Sequence, residues 1–221
     1  MKRIEEESAE MVFFDAETIY EDFEDHNYQE EIKRKNVYNT DVGASVWKAL
    51  LDNAEYWSCV PLHFFRSDFL KQNKLSFEKG MMHEDELFTA LAYARAKKVA
   101  QEKRELYVRR LRANSIMSSK QSERSVDGLI KCIEGLLDER KKQINDNVAR
   151  YVLEKYTIMM ATRVLNLYVL FCRDARKRTK PQIYSLKQRL AVVDYFKNYK
   201  LKVKMSLLGL YTFYKRHLKR K

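Results

Sequence analysis

The stretch HEDEL, His83 to Leu87, sets three consecutive carboxylates directly after a histidine. A carboxylate held at the rim of a cleft can take the proton of an attacking hydroxyl, which makes Asp85 a candidate general base and Glu84 its neighbour. The same residues have a plainer use. Acids in the first turn of a helix offset the positive end of its dipole, by about 0.3–1 kcal/mol each. That dipole is also expected to keep the acid ionised, as a base requires. The pattern argues against zinc: HEDEL begins like H-E-x-x-H, but Leu87 stands where the second histidine must be. His26, His63 and His83 show no ligand spacing. A single His83 beside a helix start is more often a capping or hydrogen-bonding residue.

A helix must carry this cluster, and the residues that follow supply one. Leu87, Leu91 and Ala94 recur at i, i+4 and i+7, with Phe88 and Ala92 alongside, which predicts one apolar face. Upstream, AEMVFFDAETIY (9–20) has a β-rich apolar centre and predicts a buried strand. EDFEDHNYQEEIKRKN (21–36) reads as a surface loop. VGASVWKALLDN (42–53) carries Val46, Trp47, Leu50 and Leu51 at helical spacing. SCVPLHFF (58–65) predicts a strand with Pro61 at an edge or bulge, and RSDFLKQNKLSF (66–77) a short helix leaving into extended chain. LYVRRLR (106–112) alternates like a half-exposed strand. From Ser122 the pattern turns helical, with Val126, Leu129, Ile130, Ile133, Leu136 and Leu137 on one 3.6-period face. A second helix is expected over about 145–173, ended by Pro181 of KRTKPQ, and two more over 183–199 and 201–221.

With 221 residues, 45% hydrophobic and 33% charged, the chain can bury a real core. Its 5 Gly and 2 Pro are too few for a tight-turned all-β protein, which moves the expectation toward helix. Cys59, Cys132 and Cys172 form neither a disulfide framework nor a C-x-x-C pair and read as reduced thiols of a cytoplasmic protein. The longest apolar-rich run, Tyr156 to Phe171, is 16 residues and contains Arg163 and Asn166. A bilayer needs about 20 apolar residues, so no span is predicted. The net charge of +12 is unevenly spread: residues 1–100 hold 13 basic and 20 acidic residues, leaving 30 basic and 11 acidic for 101–221. The second half therefore calls for an anionic partner.

The residues from Phe64 to Met117 resemble the second half of the family 2 glycosyltransferases of the bacterial polysaccharide and lipo-oligosaccharide type. The likeness rests on the order R-x-x-F-L, x-F, H-E-D-E and L-Y-x-Y-R-x-R-x-x-S-I. Arg66, Phe69, Leu70, Phe77, His83, Glu84, Asp85, Glu86, Leu106, Tyr107, Arg110, Arg112, Ser115 and Ile116 carry it. Arg109 departs from the pattern where a second tyrosine is usual, and Ala113-Asn114 where a glycine is common. The resemblance implies a GT-A type fold and transfer of a sugar from a nucleotide-sugar to the hydroxyl of a glycan or glycolipid acceptor. It implies Asp85 as base with Glu84 beside it, and His83, Arg110, Arg112 and Ser115 as substrate contacts. Guanidinium groups pair well with a departing diphosphate, although Arg110 and Arg112 read equally as a solvated strand face.

The family's nucleotide-binding half, with its aspartate-rich motif, has no counterpart here. The expectation is a truncated chain, a fragment or one piece of a split protein that binds no nucleotide-sugar tightly by itself. No cofactor is expected in this chain, and a divalent Mg or Mn only with the absent half. The predicted fold class is α+β, mostly helical: an incomplete GT-A-like half with a few strands over 1–118, then an all-helical basic extension over 119–221. Leu201–Lys221 places Leu207, Tyr211, Tyr214 and Leu218 opposite a basic face. That pattern suits a peripheral position on the inner, anionic face of a membrane, or a helix packed on the core with its charges solvated. Nucleic acid ranks below the membrane, because no nucleic-acid-binding motif accompanies the charge. The alternative function is a non-catalytic basic helical module holding a membrane, nucleic acid or protein partner.

Overall fold

The computed structural model describes residues 2–21, 31–112, 122–191, 199–208 and 211–212. Helix accounts for 58% of the described residues, and with a small mixed sheet this makes an α+β fold. By packing the chain divides into two units: Met1–Phe77 with Phe88–Lys120, and Glu78–Leu87 with Gln121–Lys221.

The first unit is built on strand β1 (Met11–Glu21), whose residues 11–16 are all buried. It is the centre of a three-stranded sheet in the order β2-β1-β3. Strand β2 (His63–Phe65) pairs antiparallel and β3 (Val99–Arg112) parallel to it. With neighbours on both sides and cover on both faces, a central strand reads as an unbroken apolar run. Helix α1 (Lys2–Glu6) precedes the sheet, and α2 (Gly43–Asp52) buries Val46, Trp47, Leu50 and Leu51 as their spacing predicts. Helix α3 (Ser67–Gln72) follows β2. Over Ser58–Phe65 the strand is shorter than predicted: Pro61 fixes a 3-10 turn, Val60–Leu62, and only three residues extend.

The predicted surface loop over 21–36 needs correction where it is described. Ile32 bridges to Ala16 and is 2% exposed. Arg34 is buried and pairs with the buried Asp15 at 2.7 Å. Its Nη1 also donates to Phe14 O at 2.8 Å, and its Nε to Glu55 O at 3.2 Å. Its guanidinium lies over the rings of Phe13 and Trp57. A charged segment is legible as exposed only when none of its charges has a partner inside, and Asp15 is that partner.

Helix α4 (Glu84–Arg95) serves both units. The predicted single stripe is therefore wrong: Phe88, Ala92 and Ala94 are buried, but Leu87 and Leu91 only half so, and Tyr93 at 0% exposure is the anchor. Its first turn belongs to the helical unit and the remainder to the sheet unit. Tyr93 lies against Trp47 and meets His63 edge-on.

In the second unit, helices α5 (Glu123–Lys142) and α6 (Asn147–Leu170) are joined by four residues. Arg140 pairs with Glu154 across that corner at 2.5 Å, as in an antiparallel hairpin. Helix α7 (Arg173–Leu190) runs parallel to α5, because Glu123–Arg178, Asp127–Gln182 and Glu134–Arg189 all join residues 55 apart. The predicted break at Pro181 does not occur: α6 ends at Leu170, and the extended residues Phe171 and Cys172 make the corner. Pro181 lies on the exposed side of α7, where the carbonyl it leaves unpaired can reach water.

The outward side of α7 carries Arg173, Lys177, Lys180 and Lys187 with Tyr184, all exposed. The four cations have no ion-pair partner among the described residues, whereas Arg178 and Arg189 on the α5 side each pair with an acid. Helix α8 (Tyr199–Ser206) buries Leu201 and Met205, and beyond it Tyr211 donates to Asn166 of α6 at 2.8 Å. The described part of the predicted tail, Leu201–Lys221, thus packs on the bundle; Tyr214 and Leu218 lie outside the described residues. Among the described residues no helix is long and apolar enough to cross a membrane.

Gly128 lets the turn before α4 lie directly on α5: a Cβ there would sit 2.2 Å from the Met82 carbonyl oxygen. Gly128→Ala is expected to lower stability by about 1–3 kcal/mol despite its better helix propensity. A urea midpoint that fails to fall would show that the turn can move away freely.

Candidate active site

The three acids of the α4 first turn have different surroundings. Glu84 is exposed, Asp85 half-buried and Glu86 buried. One Glu86 oxygen accepts from the Tyr156 hydroxyl. The other accepts from Arg163 Nη1 at 2.6 Å. Tyr156 and Arg163 are two turns apart on α6 and so share a face. Asp85 Oδ1 accepts the Glu86 backbone N–H at 2.9 Å. Asp85 has no cationic partner among the described residues.

The helix dipole therefore does not keep the Asp85 pKa low, as its position predicts. Burial first, and then the adjacent Glu86 carboxylate, push its pKa up to about 6. Dipole stabilisation is set by position in the turn. Desolvation is set by what covers the turn, here the helices of the second unit, and it wins.

His83 sits immediately before the helix at φ 62, in the left-handed region, where a non-glycine residue costs about 1–2 kcal/mol. It does not cap the helix through its side chain. Its carbonyl accepts from the Glu86 N–H at 3.2 Å and from Cys132 Sγ at 3.3 Å. Its Nε2 is buried and finds no hydrogen-bond partner among the described residues. Burial, then Arg163, hold its pKa below the usual range, so the ring is neutral at pH 7.

The structure brings His83, Glu84 and Asp85 to one turn of the second unit. Arg110 lies in the first unit on β3, exposed, with Glu21 at 3.4 Å. Arg112 occupies the last β3 position, in register with Glu21. Ser115 lies outside the described residues. An open groove of about 510 Å³ runs beside the turn, lined by Met81, Met82, Gly128, Lys131, Gln182 and Arg189 among others; its lining ends before Asp85. The described residues carry no group of three His, Cys, Asp or Glu side chains fit to hold a divalent metal, so no step is assigned to one.

Glu86, Tyr156 and Arg163 were not among the predicted site residues. The signal was present: Arg163 interrupts the longest apolar-rich run of the chain, and Tyr156 stands seven residues before it. An arginine on a helix face that otherwise packs inward implies a buried acid opposite.

The chain matches no family model and no curated protein. Two solved structures of TarS from S. aureus, a glycosyltransferase, resemble it. TarS 1-349 in complex with UDP-GlcNAc matches with a TM-score of 0.56 at 17% identity, over 86% of this chain and 51% of that one. TarS 1-349 matches with a TM-score of 0.52 at 16% identity, over 86% and 49%. The chain spans about half the length of these structures. Its fold is glycosyltransferase-like.

Proposed function

We propose that this chain is the acceptor-side part of a sugar transferase of the family 2, GT-A type, using a nucleotide-sugar donor and a glycan or glycolipid hydroxyl as acceptor. Asp85 is the general base. One observation carries the reading: within a glycosyltransferase-like fold, a half-buried, cation-free carboxylate stands on the first turn of a fixed helix with its pKa raised to about 6. A base is most effective when its pKa lies near the working pH. In direct displacement at the anomeric carbon, Asp85 removes the acceptor proton as the sugar–diphosphate bond breaks. Glu84, exposed beside it, is proposed as its neighbour in acceptor contacts.

A second reading rests on the outward face of α7. Four cations in one row with no ion-pair partner among the described residues, beside an exposed tyrosine, suit an anionic membrane surface, whether or not the chain is a catalyst. Reversing Arg173, Lys177, Lys180 and Lys187 to glutamate removes only exposed charges. It is expected to leave the fold intact and to abolish co-sedimentation with anionic vesicles at 0.1 M salt. Unchanged sedimentation would remove this face from the reading.

Asp85→Asn tests the base in two ways. With the chain joined to a nucleotide-binding half, transfer from a uridine diphosphate sugar, followed as nucleoside diphosphate release with acceptor present, is expected to fall about 10²–10⁴-fold. Full activity in the variant would end the assignment. Stability is expected to move the other way. A raised carboxyl pKa gives stability below the unfolded value of 3.8 that is lost as pH rises through about 6. Asn carries no such penalty, so the variant should be more stable at pH 8, by about 1–2 kcal/mol for a side chain still partly open to water, and no more stable at about pH 4. Equal urea midpoints at pH 8 would show Asp85 to be an ordinary surface acid.

A further inference from the structure

Only one of the three acids in the α4 first turn is gripped. Glu86 is held on one oxygen by Tyr156 and on the other by Arg163, both from α6. The Asp85 carboxylate is tied to that gripped residue, because its Oδ1 accepts the Glu86 backbone N–H at 2.9 Å. Two contacts from α5 fix the chain just before it: Cys132 Sγ donates to the His83 carbonyl, and Gly128 admits the Met82 backbone. We propose that Tyr156 and Arg163 are positioning residues for the Asp85 carboxylate, acting through the Glu86 side chain they hold. That Asp85 is a base rests on the function proposed above; the mechanical link to α6 does not.

A helix start that needed only its dipole offset would keep its acids in water, where the exposed Glu84 already serves. Burying Glu86 between a hydroxyl and a guanidinium does more. It sets the pitch of the turn, and it places a fixed negative charge beside Asp85 without a cation on Asp85 itself. The charged and titratable groups around Asp85 are Glu84 and Glu86 on its own helix, Arg163 and Tyr156 on α6, Cys132 on α5, and His83 before the turn. Burial is the largest cause of the raised Asp85 pKa, so any loosening that admits water lowers it.

Tyr156→Phe separates geometry from charge, because it deletes one Glu86 contact and changes no charge. The probes are the Asp85 side-chain carboxyl titration by NMR, assigned with Asp85→Asn, and hydrogen exchange of the Glu86 amide. In the full-length wild-type chain the titration midpoint is expected at about 6. In Tyr156→Phe it should fall by about 1 pH unit, with Glu86 amide exchange at least about tenfold faster. Arg163→Gln should speed the same exchange, and Arg163→Lys should restore most of the protection. A folded Tyr156→Phe protein with the wild-type midpoint and a protected amide would overturn the proposal. If that variant does not fold, Arg163→Gln decides through the exchange rate alone. Neither probe uses donor or acceptor, so the transferase reading can fail while this link holds. Conversely, transfer that depends on Asp85 but keeps its wild-type kcat in Tyr156→Phe would break the link and leave the base in place.

Discussion

A carboxylate taken out of water needs strong donors on both oxygens, and that need, met at Glu86, fixes much of the helical unit. The donors are Tyr156 and Arg163, so α6 must present one polar pair from a helix whose other inward residues, Thr157 aside, are largely apolar. The turn they hold must lie close to α5, which Gly128 allows by having no side chain in the path of the Met82 carbonyl. Cys132 then finds the His83 carbonyl, and the left-handed backbone of His83 turns the chain into α4. Removing the buried charge would leave each of these features without a reason to coincide.

The sheet unit uses the same physics at a second place. Asp15, on the central strand, is buried with Arg34, and Arg34 gives its remaining bonds to backbone carbonyls of Phe14 and Glu55. Glu55 in turn accepts the Lys35 N–H at 2.8 Å and the Tyr38 hydroxyl at 2.6 Å. Burial, and then that bond to Glu55, push the Tyr38 pKa up to about 12. The network pins an irregular segment to the sheet without any regular hydrogen-bond ladder. In both units the chain between elements is placed by a buried acid, and apolar packing then fills around it.

This division explains which features were legible in the sequence. β1, α2 and the buried face of α5 follow from period and composition, because water removal from apolar surface decides them locally. Helix α4 was legible in extent but not in facing, since two cores share it and no single stripe describes it. The α6–α7 corner was misplaced because Pro181 is a strong local signal, whereas the buried Phe171 that turns the chain is a tertiary one. At the site, the acids could be named from their order. Their ranking could not, because it depends on Arg163, 77 residues from Glu86.

The ranking is what distinguishes the proposed base from an acid that only offsets the dipole. Negative charge in a first turn is stabilised cheaply by water and the dipole, and one exposed acid is enough for that. Here a guanidinium is available within the unit, and it is committed to Glu86 while Asp85, the adjacent residue, is left half-desolvated and without a cation among the described residues. Had Arg163 paired with Asp85 instead, its pKa would have dropped into the ordinary carboxylate range and its strength as a base with it. The arrangement costs stability at neutral pH, and Asp85 returns to the fold its bond to the Glu86 N–H. A penalty confined to one side chain, with its neighbour fully satisfied, fits the proton acceptor proposed for Asp85.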